Sequence, residues 1–161
     1  MSVQNPARRF GVVPPEQALK MSGIEFLSAM REGHLPGAPI SETLDFWMQS
    51  CEVGRVVFEA RPSGRFYNPM GMVHGGWMAT LLDTVMGCAV HSTLKAGQAY
   101  TTLTMQTGFL RAVHENTGII RCEGLIIHAG SRTATATGQL FDGKGRLVAY
   151  GSESCLILNP V

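Results

Sequence analysis

The sequence predicts an α+β domain in which an antiparallel β-sheet wraps round one long central helix, with an extra N-terminal helix ahead of it. Three observations carry this. Residues 75–94 have helix length, and Asp83 is their only formally charged residue; a helix apolar on nearly every side has to be buried. From Tyr100 onward the texture changes to period two, in four runs rich in Thr, Ile, Val and Ala, the pattern of strands with one buried face. The connections between those runs are short, which predicts antiparallel neighbours.

Each element has its own signal. A helix over residues 15–32 is opened by Pro14-Pro15 and closed by Gly33, as helix starts and stops require. Leu19, Ile24, Phe26, Leu27 and Met30 give it a modest apolar stripe. Residues 42–52 and 55–60 read as strands split at Val53-Gly54, the second carrying the β-branched and aromatic run Val56-Val57-Phe58. Residues 64–76 form a loop, in which Asn68-Pro69-Met70-Gly71 is a turn because Pro fixes φ and Gly tolerates a positive one. After the central helix come strands at 100–111, 118–128, 132–141 and 146–158. Asp142-Gly143 marks the last hairpin. The division implied is a helical extension at 1–40 and a domain at 41–161.

Composition narrows the function. The chain has 161 residues and a net charge of +1, with 16% charged residues against roughly 25% in average domains. Without a basic stripe it is no nucleic-acid partner, and so bare a surface suggests that part is hidden against another subunit. No apolar run approaches the roughly 18 residues of a membrane span, and the polar start does not read as a signal peptide. Cys51, Cys88, Cys122 and Cys155 lack the close pairing of a zinc or redox motif and read as free thiols in a cytoplasmic protein.

The lone carboxylate is the chemical lead. At 100° per residue, Gly76, Ala79, Thr80, Gly87 and Val90 fall within about 60° of Asp83, while Met78, Leu81, Val85 and Cys88 lie beyond about 130°. Asp83 therefore sits in a trough of small residues that leaves room for another molecule. Two blander readings stay open: a solubilising group facing water, or a buried acid paired to an arginine. Gly75 and Gly76 open the helix, so their N–H groups are first-turn donors without an intrahelical partner. With the positive end of the helix dipole they suit a developing oxyanion. Eight residues separate Gly75 from Asp83, about 12 Å along one helix axis. The two cannot meet one carbonyl group unless each faces its counterpart on a second, antiparallel copy.

At these residues the sequence resembles a known family. Asn68-Pro69-Met70-Gly71-Met72-Val73-His74-Gly75-Gly76 followed by Asp83 is similar to the signature of the PaaI-type hotdog-fold thioesterases. The likeness extends over residues 41–158 and includes the strand at 101–110 and the segment His128-Ala129-Gly130-Ser131-Arg132. It implies a hotdog fold and hydrolysis of acyl-coenzyme A thioesters without metal or redox cofactor. It also implies a homo-oligomer, a dimer with two interfacial sites or a dimer of dimers (a homotetramer). Residue by residue, it implies Asp83 as catalytic base or nucleophile and the Gly75 N–H as polariser of the thioester carbonyl. Asn68 would orient the thioester or water, His74 would brace the loop, and Thr102 would hold the attacking water. Gly76 and Arg132 would contact substrate, Arg132 at the nucleotide phosphates. Ala112 stands where the family often has proline, and the N-terminal helix is longer than a minimal hotdog needs.

The same residues admit rival readings. Cys88 and His91, three apart, could pair as nucleophile and base, but two core-facing residues at that spacing are commonplace. The five histidines show no metal-binding spacing. Arg132 could be an ordinary strand-end charge. A hydratase would need a His–acid pair, and Asn68 cannot transfer a proton. A non-catalytic acyl-CoA binder would keep the pocket and could dispense with Asp83.

Overall fold

A computed structural model describes residues 9–159. Its elements run α1 (Pro15–Ala18), α2 (Gly23–Arg31), α3 (Pro39–Thr43), β1 (Phe46–Glu52), β2 (Arg55–Ala60), α4 (Gly75–His91), β3 (Ala99–Phe109), β4 (Ile120–Ala129), β5 (Thr133–Phe141) and β6 (Leu147–Leu158). The six strands form one sheet in the order β1-β2-β4-β5-β6-β3, every neighbouring pair antiparallel. The sheet curls round α4, whose Trp77, Met78, Leu81, Leu82, Val85, Met86, Ala89 and Val90 are all buried. This is the hotdog architecture that the apolar helix and the period-two runs imply.

The curl is tight enough to need glycine where sheet meets helix. A Cβ on Gly124 of β4 would run into the Val85 carbonyl oxygen of α4. At Gly138 of β5 it would lie 3.0 Å from Met86. These two positions let the sheet backbone close on the helix, where any side chain would hold the layers apart.

Three expectations are corrected. The helix over 15–32 is two helices, because Ser22 breaks the run. Its hydroxyl accepts from the Glu25 N–H while the Glu25 carboxylate accepts from the Ser22 N–H, a reciprocal cap that starts a new helix. The strand expected from residue 42 begins at Phe46, since Pro39 opens the short α3 and Asp45 turns the chain at φ 51°. The strands at 100–111 and 118–128 are not neighbours: β3 pairs with β6 at the far edge. Their connection instead crosses the start of α4, where Val113 is buried and its carbonyl accepts from the Val73 N–H at 2.9 Å.

The N-terminal segment covers the opposite end of α4. The Gly23 N–H donates to the Leu94 carbonyl at 2.9 Å, and a Cβ there would strike the His91 carbonyl. Phe26 of α2 packs on the His91 ring at 5.1 Å.

Candidate active site

Two clusters of the sequence-derived residues form, one at each end of the exposed stripe of α4. The first is at its N-terminus. His74 is the N-cap, and its Nδ1 accepts from the Gly76 N–H at 2.9 Å. The His74 N–H donates to the Phe66 carbonyl at 2.7 Å, tying the cap to the loop. His74 thus bonds both the first turn of α4, through Nδ1, and the loop before it, through its N–H. Capping removes Gly76 from the pool of free donors and leaves Gly75 N–H, at the first helical position, without an intrahelical carbonyl.

Asn68 folds the same loop. Its Oδ1 accepts from the Met70 N–H at 2.9 Å and the Met72 N–H at 3.3 Å, as asparagine does in tight turns. Asn68, Gly75 and Met78 line one open cleft with Phe109 and Arg111. The structure therefore brings Asn68, His74, Gly75 and Gly76 together.

Asp83 belongs to the second cluster. It is exposed in the single chain, and no salt bridge joins it to an arginine among the described residues. Half of the expected trough is filled. Tyr100 of β3 lies over Gly87, so closely that a Cβ there would sit 2.7 Å from the tyrosine oxygen, and Val90 is wholly buried. The part formed by Gly76, Ala79 and Thr80 remains only partly covered or open.

The residue that sequence reasoning missed is Glu153 of β6, which is 1% exposed. Its Oε1 accepts from the Thr102 hydroxyl at 3.0 Å and from the Cys155 thiol at 2.8 Å. Burial pushes its carboxyl above the ordinary glutamate value, and the neighbouring Asp83 adds to the rise. Thr102 is thus held by a buried acid. The available signal was parity: in β6, Glu153 shares the inward phase with Gly151, Cys155 and Ile157.

Arg132 is exposed in the β4–β5 turn, and its carbonyl accepts from the Ile157 N–H at 2.9 Å. It lies two residues along β6 from Cys155, the partner of Thr102. Cys88 and His91 do not form a reactive pair. Burial, then the charge of Asp83, pushes the Cys88 thiol up to about 12, and burial lowers His91, so neither ion of a thiolate–imidazolium couple is favoured. All four cysteines are free thiols.

A curled six-stranded sheet round a helix whose N-terminus is capped by a His-Gly-Gly turn defines a hotdog-fold protein of the thioesterase kind. Residues 70–149 match the thioesterase superfamily, and the chain belongs to it. Among solved structures it resembles a putative thioesterase related to phenylacetic acid degradation from Ralstonia eutropha, at 27% identity and TM-score 0.75 over 81% of this chain and 98% of that one. A conserved protein from Pseudomonas aeruginosa is 27% identical with TM-score 0.70, over 76% and 95% of the two chains. The PaaI protein of the Escherichia coli phenylacetic acid operon shares the fold at 19% identity and TM-score 0.74, over 87% and 96%. No curated protein matches the chain. Asn68 and Glu153 both lie outside the matched span.

Proposed function

We propose that the protein hydrolyses acyl- or aryl-coenzyme A thioesters to the free acid and coenzyme A, at sites shared between two copies of the chain. The observation that supports this best is the first turn of α4: His74 occupies the Gly76 N–H, and Gly75, whose own N–H has no intrahelical partner, lines the open cleft. A donor fixed there stabilises the negative charge that forms on a thioester oxygen. Thioesters are activated, so one carboxylate beside such a donor suffices. Asp83 supplies it in one of two ways: it takes a proton from water as the water oxygen bonds the carbonyl carbon, or it bonds that carbon itself, giving a mixed anhydride that water then hydrolyses to free acid and free Asp83. In either route the C–S bond breaks, and the thiolate leaves and takes up the proton released from water to become coenzyme A.

Asp83 and Gly75 are about 12 Å apart on one helix, so a second copy completes each site. The edge strand β3 is the surface for it. Residues 101–106 are exposed in an unbroken run, with Leu103, Met105 and Phe109 open to solvent; an edge of this length and apolarity invites pairing with itself. Pairing β3 to β3 sets the two α4 helices antiparallel, and two such dimers can stack as a tetramer. In this reading Asn68 orients the thioester or water, Thr102 holds the water, Gly76 allows close approach, and Arg132 meets the nucleotide phosphates. The described part of the N-terminal extension, residues 9–40, acts as a cover on the domain that starts at residue 41, and the free thiols suit the cytoplasm.

Thiol release measured over a panel of short, medium and aryl acyl-CoA substrates tests the proposal. Wild-type protein turns over at least one of them, and Asp83→Asn lowers kcat by about 10³ while substrate still binds, a loss in the range of the catalytic-group deletions summarised for acid–base residues. Wild-type binding of acyl-CoA without turnover would instead make the chain an acyl-CoA binder.

A further inference from the structure

We propose that Glu153 is held as a neutral acid whose proton is donated to the Asp83 carboxylate, so that the two form a carboxyl pair sharing one proton and Glu153 positions Asp83. The inference rests on the thioesterase reading for its catalytic consequence, though not for the existence of the pair.

The geometry is one of unequal oxygens. Oε1 of Glu153 is occupied, accepting from Thr102 and Cys155. Oε2 is buried and has no hydrogen-bond partner. A buried carboxylate oxygen left bare is costly, and no cation relieves it, since none of the salt bridges among the described residues includes Glu153. Glu123 shows the opposite solution in the same sheet: Arg55 and Arg121 both bond it and hold its carboxyl below the usual value.

Burial, with Asp83 adding to it, outweighs the two donors Cys155 and Thr102, which by themselves would favour the Glu153 anion. Facing it from α4 are Asp83 and Cys88, from β3 Tyr100 and Thr102, and from β6 itself Cys155; Ala136 is its register partner on β5. Burial keeps Cys88, Tyr100 and Cys155 protonated, with Glu153 and Asp83 contributing in each case. Asp83 on α4 adds to the rise at Glu153, which favours the protonated glutamate. Two acceptor-only carboxylates cannot bond each other. A proton on Oε2 resolves every term at once: it removes the buried charge, gives the bare oxygen a partner, and fixes the orientation of Asp83. The Glu153 proton then leaves at a higher pH than an ordinary glutamate's, which is the upper step.

The consequence has a definite sign. As pH rises through the upper step, Glu153 loses its proton, two anions come to lie side by side, and Asp83 is pushed out of position. The kcat profile therefore carries an upper limb belonging to the pair. Glu153→Met, with no donor, lowers kcat at least tenfold at neutral pH with KM within about twofold of wild type. Glu153→Gln, whose amide donates at every pH, recovers most of that loss and abolishes the upper limb. Independently of activity, a carbon-13 carboxyl titration of glutamate-labelled protein places Glu153 above the ordinary glutamate value of about 4.3, and Asp83→Asn moves that titration. A Glu153 resonance that titrates normally, or one unmoved by Asp83→Asn, overturns the pair. An upper limb that persists unchanged in Glu153→Gln overturns its role in positioning. If wild-type protein cleaves no thioester, the function proposed above fails, and the carboxyl titration alone decides whether the pair exists.

Discussion

Mixing two inactive variants, Gly75→Pro and Asp83→Asn, restores about a quarter of wild-type turnover when the subunits exchange at equal concentration. The figure follows from two-fold symmetry: half of the randomly formed dimers are mixed, and each holds one site with both defects and one with neither. The proline variant is chosen because it removes the N–H without opposing the fold. Proline is favoured at the first helical position, and His74, at φ −61° and ψ 137°, already has the extended conformation that a residue before proline adopts. Its ring carbons meet Phe109, which an added Cβ would touch at an ordinary 3.5 Å. Alone, Gly75→Pro costs about 10²–10³ in kcat, as loss of an oxyanion donor does. Gly75→Ala keeps the donor and serves as the steric control, expected to retain far more activity. Mixtures that stay inactive, although differently tagged subunits co-purify as mixed dimers, would place Asp83 and its donor in one chain.

A large effect on stability is expected at Gly124. Adding a methyl group there sets a side-chain carbon against the Val85 carbonyl oxygen, a backbone atom in the middle of α4 that no rotamer change can clear. Gly124→Ala therefore costs about 3 kcal/mol, the upper part of the usual overpacking range. For a chain of this length that lowers Tm by roughly 6–12 °C, readable by calorimetry. Gly145, at φ 76° with nothing within 4 Å of its virtual Cβ, gives a contrast: Gly145→Asn, a residue that tolerates that conformation, changes Tm little. A melting temperature for Gly124→Ala within a degree of wild type would show that the sheet and helix are not in the contact described.

Strands were the most legible part of the fold because their signal is local. The limits of β2, β5 and β6 fall within about a residue of those set by period two, since alternating burial and alternating sequence are the same fact. The N-terminal helix was misread for an equally local reason: Ser22 and Glu25 form a capping box, a four-residue signal outweighed by the apolar stripe on both sides of it. The position of β3 was beyond any local signal. Its connection to β4 is short enough for a hairpin, yet Val113 is drawn under the loop at Val73, and burial of that one valine carries the chain across the end of α4.

The candidate site divides along the same line. The His74-Gly75-Gly76 turn and Asp83 could be read from types and spacing, because a cap, a bare helix N-terminus and a lone acid on an apolar helix each have one-dimensional signatures. Glu153 could not. An acid on the inward phase of a strand is ambiguous until it is known which strand lies beside it and which helix face lies above.

By itself the sequence determined that one apolar helix had to be enclosed by a curled antiparallel sheet, with a single acid and a glycine-rich helix start on it, because hydrophobic period and backbone freedom are properties of short stretches. Only the tertiary structure decided that β3 is the free edge, that Tyr100 fills half of the trough, and that Glu153 lies buried against Asp83 and Thr102. Those outcomes depend on which distant segments close on one another, and desolvation acts only once they have closed.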